Sequence, residues 1–438
     1  MSTVIEAPAV STSLNYTPNP IWPAWFQAEQ SAAWQEYLAT PAPTRNDEPW
    51  RFANIKAINL DGFTAAPAIA SEGKLINAST GFGDRENPGL YSAKLIFGNN
   101  TLVHSNTTGL PEGVTVQPLD VAARENEALF RKYFMSQPVE LGSHKYARLH
   151  KSQLAGGVLV HVAKNVEVAL PIELFHWVEG EYSSVFPHTL IVLEDNAKVT
   201  VVDHFKSADS ARALACGIND FHLGRGARLT YAAVQDWSLD TLAFHLNSTV
   251  VERDANSTAL IANFGGRHIR GESLSKLAGT GANSVMLSLN MADGGREIDQ
   301  RTFQDHAAQH ATSDLLYQNV LDGHARTIFA GIIRVQPGEA HTDAYQKVRN
   351  LLLSDEAEAI SMPGLEILND DVRCSHGATS SGIDEEELFY MEARGIDRKA
   401  ASRLIVAGKF ISLLERIESE SLRAKLSDFI HERLGVPA

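Results

Sequence analysis

From Lys94 to about Thr379, apolar and β-branched residues alternate with polar ones in runs of strand length, separated by Gly, Asp and Asn. The pattern predicts strand after strand. A unit recurs where many of these runs begin: a turn residue, a small residue that is usually Ala, a polar residue, and then the strand. The small residues are Ala197, Ala227, Ala255, Ala282, Ala325 and Ala357, and an earlier copy is read at Lys164-Asn165-Val166. Their spacing stays near thirty except between Ala282 and Ala325, where 43 positions predict an insertion, Gly295 to His310, leaving the stack as a loop or crossing a surface. A period near thirty in an all-β region, without Trp-Asp or Gly-His punctuation, points to the coil of a β-solenoid rather than to a propeller blade. One coil cannot bury its inward face or pair its edges alone, so coils must stack. About nine coils at about 4.8 Å would make a rod roughly 40 Å long.

The pattern changes on both sides of this body. Residues 1–20 are rich in Ser, Thr, Pro and Ala and predict a mobile tail. Trp25, Phe26, Trp34, Tyr37 and Leu38 then fall on helical spacing, and a Gly-, Ala- and Pro-containing stretch completes an N-terminal helical, capping domain over 21–92. The solenoid is assigned to 93–380 and a helical C-terminal domain to 381–438. In that last domain Asp384 is read as an N-cap with Glu387 at the capping-box position, Gly395 as a stop, Asp397 as a second cap for a helix to about Gly408, and Leu422, Leu426, Phe429 and Leu434 as the buried stripe of a final helix.

Composition narrows the function classes. In 438 residues, 38 Lys and Arg oppose 53 Asp and Glu, a net charge of −15 with the wrong sign for tracking phosphate backbones, so nucleic acid is not an expected partner. No secretion signal and no apolar run long enough to span a bilayer is read, giving the expectation of a cytoplasmic protein with no membrane partner. Two cysteines, Cys216 and Cys374, suit free thiols and cannot by themselves close a four-thiolate site.

The candidate chemistry lies near the end of the solenoid. Leu365 and Ile367 alternate with polar neighbours, Asn369-Asp370-Asp371 makes a turn, and Val372, Cys374 and His376 share one face of the next strand. Thiol and imidazole are soft and borderline ligands suited to iron, zinc or sulfur transfer, but two are too few without a further source. Taken locally, a buried Cys and a hydrogen-bonded strand His describe the same residues. His306 and His310 would meet on a helix, but no Glu completes a hydrolase motif. The basic, glycine-rich Phe264-Gly265-Gly266-Arg267-His268-Ile269-Arg270-Gly271-Glu272 stretch reads as a solenoid turn, Asp370-Asp371 as a turn rather than an acid pair, and no phosphate-binding loop is present, so any ATP work belongs to another protein.

With the repeat and this stretch in hand, the chain resembles the SufB/SufD family of iron-sulfur cluster assembly proteins, on the SufD side. The resemblance is carried by Ala340-His341-Thr342-Asp343-Ala344-Tyr345-Gln346, Ser361-Met362-Pro363-Gly364-Leu365-Glu366, Asp370-Asp371-Val372-Arg373-Cys374-Ser375-His376-Gly377-Ala378-Thr379 and Leu388-Phe389-Tyr390 with Arg394-Gly395. Gly265-Gly266-Arg267 and Glu48-Pro49-Trp50-Arg51 also fit. It implies a right-handed parallel β-helix flanked by helical domains. It further implies a non-catalytic scaffold that pairs with a SufB-like chain and binds a SufC-like ABC ATPase through Leu388, Phe389, Tyr390, Arg394 and Gly395. In this reading His376, with Cys374 beside it, contributes transiently to a nascent iron-sulfur cluster at the shared interface, no cofactor is held stably, and the sulfur-accepting cysteines belong to the partner. Whether a flavin docks on such a complex stays open. Two rivals remain at this point: a β-helix carbohydrate-active enzyme with carboxylates lining a groove, and a ligand-free structural homodimer in which Cys374 and His376 are core.

Overall fold

A computed structural model describes residues 13–69, 72–79 and 91–436. Residues 1–12 of the expected tail lie outside this range; in the described part Leu14 is buried and the Tyr16 hydroxyl donates to the Gln27 carbonyl at 2.9 Å, so these two residues anchor a segment that is otherwise mostly exposed. Two long sheets dominate, and the backbone alternates between them at every corner. One runs Glu358–Ile367, Arg326–Val335, Glu297–His306, His268–Leu277, Leu242–Val251, Arg212–Leu223 and His188–Leu193 in spatial order; the other runs Val372–Ser381, Thr342–Leu352, Thr312–Leu321, Asn283–Ala292, Asn256–Asn263, Arg228–Asp236 and Lys198–Ser207. All these neighbours are parallel, each one coil apart in sequence. This is a parallel β-solenoid of about eight turns.

The corners explain the repeat and correct one reading of it. Asn165, Asn196, Gly226, Asp254, Gly281, His310 and His341 all have φ between 56° and 75°, one left-handed residue per coil at the same corner. That conformation favours Gly, Asn and Asp, with His tolerated. The residue after the left-handed position is Ala in five coils: Ala197, Ala227, Ala255, Ala282 and Ala311. Ala325 and Ala357 sit at the opposite corner, so the 43-residue interval switches corners and holds no insertion. Gly295–His310 does not leave the stack: Glu297–His306 is a central strand, paired on both sides and buried almost throughout.

A second correction concerns residues 119–153, where strands were expected and three helices form: Leu119–Glu125, Glu127–Tyr133 and His144–Gln153. Leu119, Ala122, Ala123 and Phe130 recur at helical spacing and pack with Trp22, Phe26, Leu159 and Leu190. The N-terminal helix Ala24–Ala39 buries Phe26, Trp34 and Tyr37, while Leu38 faces solvent. These N-terminal elements cover the outer face of the first sheet, where Trp50, Tyr146 and Leu60 meet Leu214, Cys216 and Phe244. Arg270, wholly buried, clamps them in place. Its guanidinium lies 4.1 Å from the Trp50 ring centre, donates to the carbonyls of Pro49 (2.9 Å) and Leu141 (2.7 Å), and is neutralised by Glu272 and Asp299. The basic stretch around it is therefore spent on tertiary structure.

Three helices close the chain. Asp384 caps Glu385–Glu392 and Asp397 caps Arg398–Leu414, which continues through Gly408; Ser419 caps Glu420–Leu434, whose buried stripe is Leu422, Leu426, Ile430 and Leu434, with Phe429 only partly covered. Val406, Phe410 and Leu414 press these helices onto the outer face of the second sheet, against residues such as Val234, Phe264 and Leu316. No described helix is long and apolar enough to cross a membrane.

Candidate functional site: the open end of the solenoid

Side chains of a solenoid strand alternate between lumen and exterior, and the register carries that alternation from coil to coil. In Thr342–Leu352 the alternating residues Thr342, Ala344, Gln346, Val348 and Asn350 are buried on the lumen face, and Leu351 is buried on the outer one under the C-terminal helices. Their partners on the last coil are Val372, Cys374, His376, Ala378 and Ser380. From the opposite wall, Thr327, Phe329, Gly331, Ile333 and Val335 are continued by Ala359, Ser361, Pro363, Leu365 and Ile367. Cys374 and His376 thus occupy lumen positions.

They are nevertheless accessible, because each wall ends there. Among the described residues, Glu358–Ile367 pairs only with Arg326–Val335, and Val372–Ser381 only with Thr342–Leu352, leaving one edge of each strand unpaired. His376 is exposed and Cys374 half-buried, and on the last strand of the other sheet and just after it Leu365 (39%) and Leu368 (50%) are exposed as well. The far end differs. There Val114–Pro118 and Thr101–Asn106 close the two sheets as antiparallel strands.

Beneath the open end the lumen is polar and ordered. Asn263, Asn290, Asn319 and Asn350 form a ladder in which each side-chain amide donates to the next carbonyl at 2.6–2.8 Å, and Asn350 reaches Ser380 Oγ at 3.1 Å. This ladder ties the last coil to the interior. Burial raises the Cys374 thiol pKa; the Asp343 carboxylate adds to the rise and a backbone hydrogen bond with Ala344 opposes it. At neutral pH Cys374 is a thiol rather than a thiolate, a weak nucleophile until its surroundings change.

Other candidates fall elsewhere. Cys216 is fully buried on the outer face, its Sγ 3.5 Å from the Tyr146 carbonyl, and burial pushes its pKa far up. His306 and His310 do not share a helix. His306 ends a strand and points into the lumen, where it contacts Ser313 Oγ at 2.8 Å, whereas His310 sits at an exposed corner stacked on His341. Asp371 closes the expected Asn369 turn, and its carboxylate lies 3.0 Å from His341 Nδ1. Among the described residues no set of three or more His, Cys, Asp or Glu is arranged to hold a metal. On the C-terminal helix Glu385–Glu392, Phe389 (72%) and Tyr390 (59%) are exposed. Leu388 is buried and anchors that helix; Arg394 lies over the Tyr390 ring and donates to its carbonyl, and Gly395 takes the left-handed stop at φ 84°. Reading residues singly overlooked Gln346, though strand alternation places it on the lumen face.

Fold and end together define a parallel β-helix that displays an imidazole and a thiol at an unpaired rim. The family description "SUF system FeS cluster assembly, SufBD core domain" matches residues 176–409, and the chain belongs to the SufB/SufD family. It is 28% identical over 325 residues to the iron-sulfur cluster assembly protein SufD of Bacillus subtilis, covering 74% of each chain. An iron-sulfur cluster assembly SufBD family protein of Synechocystis is 26% identical over 403 residues, 88% of this chain and 86% of that one. A Mycobacterium leprae member of the same family is 28% identical over 294 residues, 65% of this chain and 74% of that one.

Proposed function

We propose that this chain is a SufD-type, non-catalytic scaffold subunit of an iron-sulfur cluster assembly complex, working in the cytoplasm. The observation that carries this reading is the last coil. Lumen residues His376 and Cys374 are laid open beside two unpaired strand edges, so a second β-helix meeting this end would extend both sheets and supply the ligands that two residues cannot. A SufB-like chain is the partner that fits. The nascent cluster is cargo shared across that contact, with His376 as a borderline nitrogen ligand and Cys374 adjacent. Exposed Phe389 and Tyr390, with Arg394 beside them, form the docking point for a SufC-like ABC ATPase, which supplies nucleotide hydrolysis.

The test is His376→Ala in the co-expressed complex. Partner recovery and melting temperature stay unchanged while reconstituted cluster absorbance falls about tenfold or more; normal cluster yield would sink the assignment. Recovery of a homodimer alone, with neither an ATPase nor a cysteine-bearing paralogue, would instead favour the structural reading.

A further inference from the structure

The floor of the open end carries an unmade hydrogen bond. Gln346 is 2% exposed and stands in register directly beneath His376 on the neighbouring strand. Its Nε2 lies 3.4 Å from the Gly331 carbonyl across the lumen, which fixes the amide's orientation: turned over, the amide would set two carbonyl oxygens against each other. The side-chain carbonyl, Oε1, is then left buried and without a partner. Gly331 makes this placement feasible, since a Cβ there would collide with the Thr302 hydroxyl, the Phe329 ring and the Gln346 amide.

A buried amide oxygen without a donor costs about 1–3 kcal/mol. The donor in register with it is the imidazole one coil above. In-register strands stand about 4.8 Å apart, so paired lumen side chains abut. Ala344, Val348, Phe329 and Pro363 on these two coils carry no side-chain hydrogen-bonding group; the other nearby donors are hydroxyls, Ser361 Oγ, which accepts from Asn350 Nδ2 at 3.2 Å, and Thr302 Oγ1, buried without a partner one coil below.

We propose that Gln346 is the positioning residue for His376: its Oε1 accepts the imidazole N–H, selects one tautomer, and turns the other ring nitrogen, with its lone pair, out of the open end. A neutral imidazole has one donor and one acceptor nitrogen, so fixing the donor fixes the ligand. Histidines that bind metals commonly donate their second nitrogen in this way, and losing that partner typically costs 10–100-fold in affinity or activity. The inference deepens the proposed function and rests on it for its consequence in assembly, but not for the hydrogen bond itself.

The experiment uses the full chain labelled with ¹⁵N-histidine, the His376 signals being assigned by their disappearance in His376→Ala. In the unsubstituted protein at fixed pH the two ring nitrogens report one dominant tautomer. Gln346→Met keeps the volume and removes the acceptor, and the tautomer ratio falls at least fivefold; Gln346→Glu restores an acceptor and the single tautomer. Val348→Ala, a cavity in the same strand, lowers the melting temperature without moving the ratio. In the assembled complex, cluster yield of Gln346→Met falls about tenfold and recovers in Gln346→Glu. An unchanged tautomer ratio in Gln346→Met overturns the proposal even if His376→Ala abolishes assembly. A shifted ratio with normal assembly in His376→Ala sustains the hydrogen bond and overturns the functional reading instead.

Discussion

The last coil and the coils beneath it present the same lumen positions to different surroundings. His245 and His306 point into the interior of the solenoid; burial lowers both to about 4, and each is held by neighbours, His245 by Asn219 and Gln235 and His306 by Ser313. His376 points the same way but stands on the final strand, exposed. The two cysteines repeat the contrast. Cys216 lies sealed under the N-terminal helices, while Cys374 is half-open at the rim. A strand of this kind makes a core residue or a site residue according to whether another coil follows it.

The contrast is tested most severely by charge. Arg270→Met on an interior strand leaves the Asp299 and Glu272 carboxylates buried without their shared cation and detaches the Trp50 segment; a loss of about 3–5 kcal/mol is expected in urea unfolding. Arg373→Met, on the exposed exterior of the last coil, should change stability by no more than about 0.5 kcal/mol. Equal costs would remove the distinction between the two regions.

Acid sharpens it further. A histidine lowered in the folded state to about 4 binds fewer protons there than in the unfolded chain, whose pKa is about 6.5. Its neutral form therefore contributes stability that is fully present above about pH 6.5, declines as pH falls, and is gone below about 4. For His306 this amounts to roughly 3 kcal/mol across the window. His306→Gln should flatten the dependence of melting temperature on pH between 6.5 and 4, and an unchanged slope would remove His306 from this account.

The mildest test is chemical. In the native chain a maleimide reagent labels Cys374 and not Cys216, with Cys374 reacting several-fold more slowly than a free cysteine because its thiol is held above the usual range. Cys216 reacts only on unfolding. Labelling of both at equal rates, followed by mass spectrometry, would erase the contrast.

Much of this was legible beforehand. The alternation of strand residues, the Asp384 and Asp397 caps, the Gly395 stop and the shared face of Val372, Cys374 and His376 are local properties, set by backbone preference within a few residues. The repeat was read with one fault, and the cause is specific: His310 occupies a left-handed corner usually held by Gly, Asn or Asp, so Ala311 escaped notice and Ala325, at the other corner, took its place. The helices at 119–153 were missed because short apolar spacings there were absorbed into the surrounding strand pattern.

The sequence by itself determined the period, the caps, the family and which side chains share a face. Only the tertiary structure decided which of those faces is lumen, which coil is last, and hence that His376 is open while His306 is sealed. Burial is a property of what packs across the stack from residues about thirty positions away, and strand periodicity, being local, carries no record of whether that neighbouring coil exists.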